Sequence, residues 1–279
     1  MTSIQKALID ATNLLSDISP SARIDAEILL SMALKVNKTF LYTYPENELN
    51  AETSAIYQSL LKTRAKGTPI AYITGTREFW SLNLHVSNAT LIPRPETELL
   101  IEKALAMIDA SHPARLLDLG TGSGAIALAL AHSRPNWQIV ACDKSEQALE
   151  IAVKNAKQLA ISNVTFVCSN WFTHITATGF DAIVSNPPYI AEQDPHLSVG
   201  DLQFEPKDAL VSGMNGLESL HYIIKHSYNR LLPNGLLLLE HGYNQRQAVD
   251  RMLHEHGYQN IECWQDWQGH DRISSARRR

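Results

Sequence analysis

The chain of 279 residues is 44% hydrophobic and 19% charged, a balance that suits a packed globular protein and leaves length for one large and one smaller core. Its 24 Lys and Arg against 29 Asp and Glu leave a net charge of −5, which argues against nucleic-acid binding by broad phosphate neutralisation. Cys142, Cys168 and Cys263 are widely spaced and form no Cys-x-x-Cys pair, and no apolar run approaches the ~18 residues of a membrane span, so neither a disulfide framework, a zinc ribbon nor an export segment is expected, and a reducing cytoplasm is.

From residue 3 to about 64, apolar residues recur at helical spacing, as in Ile24, Ile28, Leu29 and Met32, then Ile56, Leu60 and Leu61. The first eleven residues, Met1 included, carry Lys6 and Asp10 within this pattern and read as helix. Breaks at Ser19-Pro20, Tyr44-Pro45 and Gly67-Thr68-Pro69 divide the stretch into roughly four or five short helices, with Asn50 as N-cap of the last. Residues 70–90 change character: Ala71-Tyr72-Ile73, Glu78-Phe79-Trp80 and then Leu82, Leu84 and Val86 alternate with polar residues around Gly75, the pattern of a β-hairpin. The expected organisation is a helical domain over 1–66, a hairpin linker over 67–92 and a large domain over 93–279.

In that large domain Pro95 suits the first turn of a helix through Glu98, Leu99, Ile101 and Leu105. Strand-like runs at 115–119, 138–143, 164–169, 181–185 and 236–240 then alternate with helical patterns at 125–132, 145–159, 217–231 and 245–256, and two more strands fit 261–267 and 272–275. Short apolar runs alternating with helices predict a doubly wound, mostly parallel α/β sheet of Rossmann-like type, covered on both faces. The closing Ala276-Arg277-Arg278-Arg279 reads as a frayed, solvated terminus. His254-Glu255-His256 sets its imidazoles on different sides of a helix, and no metal site is expected.

Asp118-Leu119-Gly120-Thr121-Gly122-Ser123-Gly124 falls where a strand ends and a helix begins, the place where open α/β sheets bind nucleotide-like ligands. Glycines there allow a tight turn and close approach of backbone to ligand, and the helix start offers free N–H groups to an anionic group. Gly120-x-Gly122-x-x-Ala125 also satisfies a relaxed dinucleotide pattern, so NAD and S-adenosylmethionine both remain open at this point, whereas a phosphate-binding P-loop lacks its Gly-Lys-Ser/Thr. Asp143 ends the next strand, where a carboxylate would accept hydrogen bonds from ribose hydroxyls; its bland alternative is an acid at a helix N-terminus. Trp171, after the third strand, stands at the same edge, where an indole can pack on adenine or simply fill the core.

Asn186-Pro187-Pro188-Tyr189 follows a buried strand at that edge. The prolines lack N–H donors and fix φ, which leaves carbonyls free to face a ligand. An amide nitrogen is a poor nucleophile because its lone pair is delocalised, so it must be aimed. The Asn186 side-chain oxygen and the Pro187 carbonyl can bind both hydrogens of a planar NH₂, and Tyr189 can stack on the flat group.

These motifs, with 75–79, Leu91-Ile92-Pro93-Arg94-Pro95-Glu96-Thr97-Glu98, Phe204-Glu205-Pro206 and 208–210, resemble the release factor glutamine methyltransferases over nearly the whole chain. The resemblance implies methyl transfer from S-adenosylmethionine, leaving S-adenosylhomocysteine, to the side-chain nitrogen of the glutamine in the Gly-Gly-Gln loop of class 1 peptide chain release factors. It implies a helical front domain that helps hold the protein substrate; from the acidic balance no nucleic-acid partner is expected, and a monomer is expected. It further assigns the cofactor to Gly120, Thr121, Gly122, Ser123, Gly124, Asp143, Trp171 and Asn186, and the glutamine to Asn186, Pro187, Pro188 and Tyr189. Asn170 departs from the aspartate of many relatives, and His241 stands where an apolar residue is common. A nucleic-acid adenine methyltransferase, a glutamine methyltransferase of a ribosomal protein, an NAD enzyme and a non-catalytic adaptor are the competing readings. The long segment 192–216, beyond the Asn-Pro-Pro-Tyr loop, is expected to be a substrate lid.

Overall fold

A computed structural model describes residues 2–279; Met1, counted above with the first helix, lies outside the described residues. The chain divides into two compact units, one of Met1–Gly75 with Pro195–Phe204, the other of Thr76–Asp194 with Glu205–Arg279.

The smaller unit is helical: α1 (Ile4–Leu15), α2 (Ala22–Leu34), α3 (Lys38–Thr43), α4 (Ala51–Ala65) and the short α5 (Ile70–Thr74). Ser3, Asn37 and, as expected, Asn50 cap α1, α3 and α4 by accepting the backbone N–H three residues on. Ile4, Leu8, Leu15, Leu29, Leu30 and Tyr57 form its core. The helical period was legible but the buried face was not, since Ile24, Met32 and Ile56 are 51%, 44% and 41% exposed. Helix α2 is apolar on more than one side, and Ala26 and Leu30 turn inward together with Leu29 of the expected pattern. Ala71, Tyr72 and Ile73 are helical rather than extended, because Pro69 opens and left-handed Gly75 closes a single turn. Arg64 is buried against Asp25 (Nε to Oδ2 2.8 Å) and donates to the carbonyls of Gly67 and Thr68. It also reaches Asp201 in the 195–204 segment, which is made of two 3₁₀ turns, Pro195–Ser198 and Gly200–Phe204.

The larger unit starts with the hairpin β1 (Thr76–Phe79) and β2 (Leu82–His85), joined through Trp80 and Ser81 at φ 52° and 58°, the left-handed pair that a two-residue hairpin turn needs. A 3₁₀ turn at Pro95–Thr97 leads into α6 (Glu98–Met107). There follow β3 (Arg115–Leu119), α7 (Ala125–Ser133), β4 (Gln138–Asp143), α8 (Glu146–Gln158), β5 (Val164–Cys168) and β6 (Phe180–Ser185). The chain ends with α9 (Lys207–Leu210), α10 (Glu218–Ser227), β7 (Leu231–Glu240), α11 (Arg246–Glu255), β8 (Tyr258–Gln265) and β9 (Asp271–Arg278). The seven-stranded sheet runs β5-β4-β3-β6-β7-β9-β8, parallel from β5 to β7 and antiparallel at β9 and β8, so the expected doubly wound α/β fold is present. Apolar clusters cover both faces.

The basic terminus is a correction. Residues 276–278 are not frayed: Ala276 is fully buried in β9, Arg277 donates to the Asn234 and Met107 carbonyls, and Arg278 bonds the Leu231 carbonyl and lies over the Tyr228 ring. An edge-sheet register across β7 and β8 consumes residues whose local sequence looks solvated. Among the described residues no helix is long and apolar enough to cross a membrane.

Candidate active site

Strand order reverses between β3 and β6, and ligands of open α/β sheets bind beyond the carboxyl ends of strands at such a switch. Register sharpens this. Leu119 is paired with Cys142 on one side and Ser185 on the other, and Ser185 with Leu239. The next residue of each strand therefore stands in one row at the sheet's edge: Gly120, Asp143, Asn186 and Glu240. A cavity of about 570 Å³ opens there, lined among others by Gly120, Gly122, Asp143, Trp171, Asn186 and Pro188. Thr121, Ser123, Gly124, Pro187 and Tyr189 do not line it.

Those that stand behind the lining hold its shape. The buried Thr121 hydroxyl donates to Asp118 Oδ2 at 2.6 Å, and burial pushes Asp118 up to about 7 even though that hydroxyl bond favours its charge. Fully buried Asn155 donates to the Ser123 carbonyl at 2.9 Å and bonds both the N–H and the carbonyl of His85, tying the hairpin to the glycine loop. Gly124, at φ 85°, leaves only 3.0 Å between an added Cβ and Leu128. At Gly122, φ 56°, an added Cβ would meet open space, which is the cavity side of the loop. Asp143 accepts from Gly122 N and Ser145 N, both at 2.9 Å, one on each oxygen. The bond from Ser145 N meets the reading of Asp143 as an acid at a helix N-terminus, and each oxygen keeps a second lone pair in a residue that lines the cavity. The Trp171 ring lies over Gly120, 3.4 Å from where a Cβ would be.

The Asn-Pro-Pro-Tyr loop is held from below by a chain of hydrogen bonds. Asn186 Nδ2 donates to Thr97 Oγ1 at 3.1 Å, Thr97 Oγ1 donates to Glu240 Oε2 at 2.6 Å, and the Tyr189 hydroxyl donates to Glu240 Oε1 at 3.2 Å. Among the described residues no donor meets Asn186 Oδ1. Glu240 is 1% exposed, and burial pushes it up to about 7, with Thr97, Arg272 and Tyr189 pulling the other way. Burial and the Glu240 charge raise the Tyr189 phenol above its usual range, so it is a neutral donor. Gln245 fixes the far end, donating Nε2 to the Tyr189 carbonyl at 2.9 Å. Next door, fully buried His241 has Nδ1 2.9 Å from the Gly242 carbonyl and Nε2 2.9 Å from Ser274 Oγ, and burial holds it below the usual imidazole range.

Sequence reasoning did not single out Thr97, Glu240 or Gln245 as site residues. The available signals were the position of Thr97 inside Pro95-Glu96-Thr97-Glu98 and that of Glu240 at a strand end on the ligand edge; Gln245 carried none. The segment expected as a lid splits: 195–204 belongs to the helical unit, while Pro206, Lys207, Asp208 and Ala209 line the cavity. Buried Glu205 anchors the latter part by accepting from Ile92 N at 3.0 Å and pairing with Arg94. Lys144 and Asp208 form an exposed ion pair at 2.8 Å, both in the cavity wall.

Residues 6–75 match the family model described as PrmC N-terminal domain, and residues 95–214 the methyltransferase small domain. A release factor glutamine methyltransferase of Salmonella typhimurium is 48% identical over 273 residues, 98% of each chain, and one of Vibrio cholerae is 49% identical over 97% of this chain and 95% of its own. Among solved structures, a methyltransferase from Pyrococcus furiosus superposes with a TM-score of 0.54 at 16% identity, over 79% of this chain and 96% of that one, a likeness of fold alone. Near-half identity sustained from the helical unit through the last strand is a likeness of whole chains, and by it this chain belongs to the release factor glutamine methyltransferase family.

Proposed function

We propose that the chain transfers a methyl group from S-adenosylmethionine to the side-chain nitrogen of a protein glutamine, that of the Gly-Gly-Gln loop in class 1 peptide chain release factors. The observation that carries this reading is the acceptor left free at Asn186: its Nδ2 is engaged by Thr97, and its Oδ1 is not. An acceptor at that point suits an NH₂ substrate.

The residues present fit the methyl donor. Open space at Gly122 lets a ligand approach the backbone, the Asp143 lone pairs suit ribose hydroxyls, and the Trp171 face suits a flat base. Gly120, Gly122, Asp143, Trp171 and Asn186 would contact the donor; Thr121, Ser123 and Gly124 would shape the loop that receives it. When bound, that group supplies an electrophilic methyl on a sulfonium. Asn186 Oδ1 and the Pro187 carbonyl each accept one N–H of the substrate amide, which aims the nitrogen lone pair at the cavity. Orientation of this kind contributes on the order of several kcal/mol and asks for no strong base. As the N–CH₃ bond forms, the methyl–sulfur bond would break with its electron pair left on sulfur, and one of the two held protons would pass to water.

The helical unit, with Ile9, Leu14, Ile24, Met32 and Ile56 exposed, is read as the surface that holds the release factor. The chain is read as a cytoplasmic monomer without a nucleic-acid substrate. Incubation with labelled methyl donor and either release factor or DNA, followed by mass spectrometry of the Gly-Gly-Gln peptide, tests the function. Label on the glutamine is expected, and label in DNA alone overturns the reading.

A further inference from the structure

We propose that Glu240 is a positioning residue for methyl transfer: through Thr97 it decides which end of the Asn186 carboxamide faces the cavity, and through its other oxygen it holds the Tyr189 phenol. The inference rests on the glutamine reading above and adds to it a residue that touches neither cofactor nor substrate. Neither Glu240 nor Thr97 lines the cavity.

Donors and acceptors decide the orientation. An ionised carboxylate only accepts. The Thr97 hydroxyl, 2.6 Å from Glu240 Oε2, must therefore direct its single hydrogen to Glu240. What remains on Thr97 Oγ1 is lone pairs, so the carboxamide atom 3.1 Å away has to be the donor Nδ2, and Oδ1 is turned outward. The opposite orientation would set oxygen against oxygen. The same logic makes the Tyr189 hydroxyl a donor to Oε1. Asn186 and Tyr189, the two ends of the tetrapeptide, are thereby oriented by one carboxylate.

A neutral group at position 240 would undo this. A protonated Glu240 can donate to Thr97, whose hydroxyl is then free to donate to the Asn186 oxygen, and the carboxamide turns its NH₂ to the cavity. Two N–H groups would then face the N–H groups of the substrate. Hydroxyl donors and Arg272 favour the charged form, but burial prevails and leaves Glu240 at about 7, so the carboxylate that sets this orientation is the state above that value; Arg272 is itself fixed by Asp266 at 3.1 Å. Glu240 occupies this place because β7 pairs with β6 in register, Leu239 beside Ser185, so the residues that follow are neighbours.

The test uses the full chain with S-adenosylmethionine and a release factor. Glu240→Gln and Thr97→Val keep side-chain shape and remove, respectively, the charge and the relay. Each is expected to lower kcat by about ten-fold or more, with KM for the release factor and calorimetric Kd for S-adenosylmethionine changed by less than about two-fold. Because both act on one relay, the double variant is expected to be no slower than the slower single one. A kcat within about two-fold of wild type in either variant, or losses that multiply in the double variant, would overturn the proposal. So would a loss of cofactor affinity that parallels the loss of kcat, the mark of a purely structural role. Should Glu240→Gln not fold, Thr97→Val keeps the buried carboxylate and decides the question by the same two readouts. A wild-type chain that leaves the release factor unmethylated would instead refute the glutamine reading itself.

Discussion

Gln245 Nε2 donates to the Tyr189 carbonyl at 2.9 Å and to the Gly216 carbonyl at 3.2 Å, while its Oε1 accepts from Gly242 N at 2.8 Å. All three partners are backbone, so one buried carboxamide joins the loops that follow β6 and β7. Gln245→Glu would replace the donating nitrogen by an oxygen facing two carbonyls. Each buried acceptor left unmet costs about 1–3 kcal/mol. A clear fall in melting temperature, together with a loss of kcat larger than any loss of cofactor affinity, is expected. A variant with unchanged melting and turnover would show that the bridge is dispensable.

Two glycines separate packing from binding. A Cβ at Gly216, φ 73°, would stand 2.3 Å from the Tyr189 carbonyl, whereas one at Gly122, φ 56°, meets nothing within 4 Å. Both carry the left-handed penalty of about 1–2 kcal/mol, but only Gly216→Ala must also displace the Asn-Pro-Pro-Tyr loop. Thermal melts should place Gly216→Ala well below Gly122→Ala. Gly122→Ala should keep its fold while its calorimetric affinity for S-adenosylmethionine drops, because the new methyl enters the space read as the cofactor's. Equal melting temperatures would contradict this contrast.

What could be read in advance follows physical range. The doubly wound sheet was legible because each of its strands and helices carries its own period, and the switch between β3 and β6 then put Gly120 and Asn186 side by side. Glu240 and Thr97 were not, because their roles depend on β6–β7 register and on a turn far away in the chain; a carboxylate at a strand end has no local signature. The Arg277 and Arg278 side chains were misread for the same reason, as their partners are carbonyls of Asn234, Met107 and Leu231. In α2, apolar residues on several sides left the buried face to tertiary packing.

Burial raises Glu240 from 4.5 to about 7. The sign follows from proton uptake: between these values the folded state holds the proton and the unfolded state does not, so stability falls as pH rises. The contribution is fully present below about pH 4.5 and lost as pH passes about 7. Asp118, raised to about 7 from 3.8, adds in the same direction. Urea unfolding of wild type and Glu240→Gln from about pH 5 to 8 should show the variant gaining relative stability with rising pH, since it has no charge to bury. A difference that stays flat across this window would mean that Glu240 titrates normally.

Arg64 and Asp25 are each almost fully buried, with Nε and Oδ2 2.8 Å apart. Removing one partner of a buried pair typically costs about 3–5 kcal/mol, and for Arg64 the part-exposed Asp201 carboxylate at 3.5 Å offsets only some of that. Asp25→Ala should therefore shift the urea midpoint strongly. Asp25→Leu combined with Arg64→Met removes both charges, and the cost of an unpaired ion disappears. Recovery should still be incomplete, because Arg64 also donates to the Gly67 and Thr68 carbonyls at 3.2 Å and 3.0 Å. If the double variant is as unstable as Asp25→Ala, those carbonyl bonds carry the contribution and the ion pair does not; if it is fully as stable as wild type, the carbonyls find water once the guanidinium is gone.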